Sequence, residues 1–265
     1  MVREPAVAGR FYEGDRRALA RDVVRLLAAG GGADPVRAVG VVAPHAGYLY
    51  SGGVAGAVYR RAAVPARVII LGPNHTGLGE LAALWTGEAW RTPLGDVPVD
   101  AALTASLAEG PVTADRRAHA HEHSLEVQVP FLQVARPDVA IAALCLGPLD
   151  YGECEALGRT VAKAARASGA LVVASSDMSH YIPAAEARAK DRRAIDRILA
   201  LDPEGLHRTV RREGITMCGV IPATVMLVAA KELGATGAEL VRYAHSGEVT
   251  GDDDAVVGYA GVVVT

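Results

Sequence analysis

The sequence predicts a single α/β domain, residues 1–265, built on a largely parallel sheet, and three observations carry that prediction. Short valine-rich apolar runs at 39–43, 68–71, 139–146 and 171–174 are too short for ordinary helices and read as buried strands. Each run gives way at once to small or turn-forming residues: Pro44-His45-Ala46-Gly47, Gly72-Pro73-Asn74-His75, Gly147-Pro148, and Ser175-Ser176-Asp177-Met178-Ser179-His180. Helix-length stretches alternate with the later runs, the βαβ pattern whose right-handed crossovers leave neighbouring strands parallel. Composition agrees. Apolar residues make up 51% but aromatics only 5%, so the core is one of small and β-branched side chains.

In chain order, residues 1–12 read as an extended arm. Asp15 caps a helix over 16–29 with Leu19, Val23, Leu26 and Leu27 on one face, stopped by Gly30-Gly31-Gly32. In the first strand Pro44 removes a backbone donor and ends the ladder, which places His45 just beyond; Gly47 allows a sharp turn. Ser51 and Gly52 introduce a short helix to about Arg61. Residues 81–90 with the turn 93–96 read as a hairpin at a sheet edge, and 100–108 as a helix. The histidine-rich 118–124 precedes an amphipathic helix carrying Leu125, Val129 and Leu132. Helices follow at 151–167, 184–200, 203–212 and 220–233, with closing strands at 239–243 and 255–264. No linker or repeat divides the chain.

Several classes are excluded or disfavoured. A net charge of −3 gives no electrostatic reason for nucleic acid or an anionic membrane as partner. No apolar stretch approaches the roughly 20 residues that span a bilayer. Residues 1–15 interleave charges and glycines where a signal peptide needs an unbroken apolar segment, so a cytoplasmic location is expected. Three widely spaced cysteines do not form a disulfide framework. Serine-hydrolase elbow, Walker loop, HExxH and dinucleotide GxGxxG are all absent, and GGGAD lacks the preceding strand of a phosphate cradle.

If the four runs lie parallel, His45, His75 and the Asp177/His180 pair meet at the carboxyl edge of the sheet, where open α/β sheets bind ligands. A lone histidine ordinarily just hydrogen-bonds a loop; three at equivalent positions point to a cluster. Two imidazoles on strand ends suit a borderline transition metal with a third donor from His123, Asp177, His180 or Cys218. Asp177 is placed to orient His180 and raise its basicity, or to cap the following turn. In an extended segment His119, His121 and His123 share one face and Glu122 the other, with His119 and His121 expected in a solvated loop. Glu126 is spaced to face the same way as His123 on a helix. Cys218 precedes an apolar helix whose dipole favours a thiolate. Cys145, inside a strand, is expected to be inert and Cys154 peripheral. The segment 243–247 lines the same cleft, and 252–254 is a solvated acidic turn.

Six segments in order, PAVAGRFY at 5–12, PHAGYLYSG at 44–52, LGPNHTG at 71–77, EHSLEVQVPFL at 122–132, SSDMSHY at 175–181 and MCGVIPAT at 217–224, resemble the Memo family. The resemblance implies a single α/β domain of the class III extradiol dioxygenase type, a mixed, largely parallel sheet flanked by helices. It further implies a metal site with His45, His75 and Cys218 as ligands, Asp177 and His180 beside it, and His123 in the cleft. Iron or copper is the implied metal. Microbial members are grouped with a radical-SAM protein, so the resemblance implies a pathway link to such a protein. Extradiol enzymes use two histidines and a carboxylate, whereas the matched third donor here is Cys218, whose soft thiolate favours copper(I), zinc or a redox-active centre.

The leading expectation is a metal-dependent redox enzyme acting on an unknown small molecule or peptide. In it His180 serves as acid/base oriented by Asp177, and His123 positions substrate or oxygen. The alternatives are a non-catalytic module binding a peptide or partner in the same cleft, and a metal-assisted hydrolase using Asp177 or Glu126.

Overall fold

A computed structural model describes residues 1–31 and 34–265; Gly32, part of the expected helix stop, and Ala33 lie outside the described residues. The central sheet runs, edge to edge, Ala238–His245, Val256–Val264, Gly40–Ala43, Leu171–Ser175, Arg67–Pro73, Ala140–Leu146, Ala82–Leu84 and Thr113–Ala114. His180–Ile182 pairs with the start of Val256–Val264. Its four middle strands are the four apolar runs, and all pair parallel. The flanking strands Val256–Val264 and Ala82–Leu84 pair antiparallel, so the sheet is mixed.

The middle strands have both faces covered, which is why they read as unbroken apolar runs rather than alternating ones. Ile69 and Leu71 point into a core with the helices Tyr151–Ser168, Pro203–Arg212 and Val220–Glu232. Val68 and Ile70 point the other way, toward the helices Arg16–Ala28, Tyr48–Arg61 and Val129–Ala135. Asp15 caps the first of these helices by accepting from the Ala18 N–H at 2.9 Å. On Tyr151–Ser168, Asp150 and Glu153 form a reciprocal capping box.

Four local expectations are corrected. The helix after His45 starts at Tyr48, before Ser51, and Gly47 caps it at φ −54°, a conformation open to any residue. Residues 81–90 are not one hairpin arm: Ala82–Leu84 joins the central sheet, while Ala89–Thr92 and Gly95–Pro98 form a hairpin in a second, three-stranded sheet with Val2–Arg3. Residues 117–120 form a helical turn, so the histidines of 118–124 do not share a face. Cys154 is fully buried, because its helix turns that position onto the sheet.

Candidate metal centre

Three parallel strands end at Ala43, Pro73 and Ser175, and His45, His75 and Asp177 each follow two positions later. The equal offset in a parallel register brings them to one edge. Cys218 arrives from across the fold, on the loop before the helix Val220–Glu232. One nitrogen of His45, one of His75 and the Cys218 sulfur all lie within 4.8 Å of one another.

Hydrogen bonds fix which nitrogen each histidine offers. Tyr59 donates to Gln128 Oε1 at 2.8 Å, which leaves Gln128 Nε2 to donate to Ser175 Oγ at 2.8 Å. Ser175 spends its own proton on the Ser124 carbonyl at 2.7 Å. Its contact with His45 Nδ1 at 2.8 Å is therefore one the imidazole donates, and the Nε2 lone pair faces Cys218 Sγ at 3.2 Å. His75 Nδ1 donates to Glu122 Oε1 at 2.9 Å, again leaving Nε2 free. A four-coordinate ion with bonds of about 2.0–2.3 Å keeps its donors roughly 3.4–3.8 Å apart, a spacing this set reaches with small adjustments. Oriented imidazoles with a hydrogen-bonded second nitrogen are the usual support of a metal ligand. The donor set fits a transition metal.

Burial favours the uncharged forms of His45 and Cys218. Burial, and then the charges of His123, His75 and His180, hold the His45 imidazole well below its ordinary range. Burial, and then Asp177, push the Cys218 thiol up, outweighing the expected help of the helix dipole. A bound cation reverses that and takes the thiolate, so metal binding releases a proton. Burial alone would raise Glu122, but the hydrogen bond and charge of His75, with the Ser124 N–H and His123, hold it down at about 2.

His123 completes the cluster. Its ring stacks on His75 with centroids 4.7 Å apart, and its Nδ1 lies 3.4 Å from Glu122 Oε1. Asp177 caps neither its own turn nor His180. Its Oδ1 accepts the His45 N–H at 2.8 Å and the Ala46 N–H at 3.3 Å, tying two strand ends together. His180 is held by Thr216 instead, with Nδ1 at 3.0 Å from the Thr216 carbonyl. Glu126 makes no hydrogen bond to His123 and instead accepts from Arg3, Ala6, Val7 and Tyr12 at 2.5–3.1 Å. His119, expected in solvent, is fully buried between Trp85 and Trp90, whereas His121 is exposed. All three cysteines are free, and burial pushes the Cys145 thiol up and Cys154 up to about 12.

Sequence reasoning missed Glu122, Ser175, Gln128 and Thr216 as supports. The signal for Glu122 was present, since a carboxylate beside a histidine ligand is a common partner. Strand alternation was the wrong geometry for a segment that turns.

A mixed α/β sheet carrying a His/His/Cys donor set at its carboxyl edge defines a protein class with a candidate mononuclear metal centre. The family described as Memo-like protein matches residues 3–263. A MEMO1 family protein of Aquifex aeolicus is 43% identical, aligned over 99% of this chain and 98% of its own. One from Methanopyrus kandleri is 42% identical over 99% of each. The chain belongs to the Memo family. An uncharacterized protein from Escherichia coli K12 shares the fold, with a TM-score of 0.51 and 18% identity over 74% of this chain and 85% of its own.

Proposed function

We propose that the chain is a metal-dependent redox enzyme with a dioxygenase-like site, in which His45, His75 and Cys218 hold one iron or copper ion. The convergence of these three donors within 4.8 Å, two of them with fixed tautomers, is the observation that carries this reading. When bound, such an ion supplies an open position for polarising a substrate or passing an electron.

The surrounding residues handle protons and position. Burial pushes the Asp177 carboxyl up to about 6, so it exchanges a proton near neutrality. Its Oδ1 is taken by two backbone N–H groups, which leaves Oδ2 to carry that proton. Thr216 occupies His180 Nδ1, so Nε2 is the atom available for acid/base work. His123, stacked on His75 and packed on Phe11, forms a wall that positions a substrate. A second reading, metal-assisted hydrolysis, draws support from Asp177, whose raised carboxyl suits a general base for water.

The test is the metal content of anaerobically purified protein, wild type beside Cys218→Ser. Stoichiometric iron or copper in the wild type, lost in the variant, is expected. Wild type that holds neither metal and fails to take up either sinks the proposal. Once a substrate is found, turnover that does not consume oxygen or change the metal's oxidation state favours hydrolysis.

A further inference from the structure

A groove of about 900 Å³ lies beside the metal centre, between the arm, the start of the helix Tyr48–Arg61 and the strand Ala238–His245. Its wall is shared with the centre, because Phe11 lines the groove and packs on His123 with centroids 4.8 Å apart. Four guanidiniums line it, and only Arg25 is paired, with Asp22. Arg10, Arg21 and Arg242 are exposed and make no ion pair among the described residues. Of the groove's other acids, Glu248 faces His245 at 3.9 Å, which leaves Glu13 against three free cations. His245 is 7% exposed; its Nδ1 makes no hydrogen bond, and the nearest carboxylate oxygen, Asp253 Oδ1, stands 3.7 Å away. Beside these polar groups stand Phe11, Leu49 and Tyr50, the last two exposed at 72% and 39%. Three unpaired guanidiniums and apolar walls in one concavity have the make-up of a ligand site for an anion.

We propose that this groove binds an amphipathic small molecule bearing an oxyanion, with Arg10 and Arg242 holding the anion and Phe11 and Tyr50 packing its apolar body. Arg10 precedes Phe11 in the chain, and Phe11 packs on His123, so this end of the groove lies toward the centre. A ligand gripped there extends its other end toward His45, His75 and Cys218. That this ligand is the centre's substrate rests on the metal reading above; its binding to the groove does not.

Calorimetric titration with phenylpropionate, phenyl phosphate and the neutral phenylpropanamide tests the proposal, in metal-loaded protein and after chelation. Both anions are expected to bind, with the amide at least about tenfold weaker. Arg10→Gln and Arg242→Gln each weaken the anions about tenfold and leave the amide unchanged. Neither side chain holds the fold together, so both variants remain folded. The tighter anion identifies the natural head group. Equal binding of acid and amide, indifference to both variants, or no binding by any probe overturns the assignment. Anion binding that vanishes on chelation places the anion on the metal and also overturns it. Arginine-dependent binding in a wild type that holds no metal keeps the groove and removes only the metal reading.

Discussion

Glu122 and Glu126 are both fully buried and lie one helical turn apart in sequence, yet they do different work. Glu122 orients His75 and His123, whereas Glu126 anchors the arm through Arg3 at 2.6 Å. Glu122→Gln is expected to weaken metal binding about 10–100-fold with little loss of fold, read by competition against a chelator. Glu126→Gln is expected to cost about 3–5 kcal/mol of stability, because Arg3 is left buried and unpaired, with metal affinity retained. Equal effects of both on metal affinity would contradict this division. His119 gives a pH-dependent prediction. Burial lowers it to about 4, while unfolded it titrates near 6.5. Between these values the unfolded chain binds the extra proton, so stability falls as pH falls. The full window is worth about 3 kcal/mol. His119→Gln, which keeps an N–H for the Ala83 carbonyl, is expected to lose less stability than wild type in urea titrations between pH 7 and pH 4. Comparing variant with wild type is essential, since Asp177, raised to about 6, acts in the opposite sense over an overlapping range. An unchanged pH dependence in the variant would exclude His119 as its source.

At the scale of elements, the site is made by strand ends and one loop pressed against them. That half was legible in the sequence: valine runs stopped by Pro44, Gly72-Pro73 and Ser175-Ser176 announce parallel strands, and a shared offset then gathers His45, His75 and Asp177. What brings in Cys218 was not legible, because it depends on a close approach between segments distant in sequence. A Cβ on Gly219 would lie 2.3 Å from the Ser175 carbonyl oxygen and 2.4 Å from Ser176 Cβ. Only glycine lets the Cys218 loop sit this close to the strand that also supports His45. Gly219→Ala is therefore expected to push Cys218 away, lowering metal affinity at least about tenfold along with stability. Gly234→Ala serves as the contrast: at φ +89° with open space around it, it costs about 1–2 kcal/mol of backbone strain and leaves the metal site alone. Metal affinity in Gly219→Ala equal to wild type would show that the loop can retreat without moving its sulfur.

Over the whole molecule, the sheet separates two cores, the arm packs into one of them, and the candidate centre sits at the carboxyl edge of the sheet between them. The four-strand parallel middle was readable because double burial leaves a continuous apolar signature. The second sheet was not, since its strand Val2–Arg3 is too short to show a period and owes its place to Ala89–Thr92. That short strand matters more than its length suggests. Arg3 lies over the Trp90 ring at 4.3 Å and donates to the carbonyls of His119 and Glu122 as well as to Glu126. Tyr12 and Val7 bury their side chains in the same core. The arm thus fastens the hairpin and the 118–128 segment to the helices beside the sheet, and it holds the residue that orients His75. Deleting residues 1–12 removes every donor to Glu126 together with this apolar burial. The expected loss of stability exceeds the about 3–5 kcal/mol of Glu126→Gln alone. Metal affinity is expected to fall with it, because Glu122 loses the Arg3 clamp on its backbone. Thermal unfolding followed by circular dichroism, at a series of free metal concentrations, reads both quantities together. Each tenfold rise in metal above saturation adds about 1.4 kcal/mol to wild type, and the same slope is expected to begin at higher metal in the deletion. A deletion that melts with wild type, or that saturates at the same metal concentration, would show that the arm covers the site without holding it.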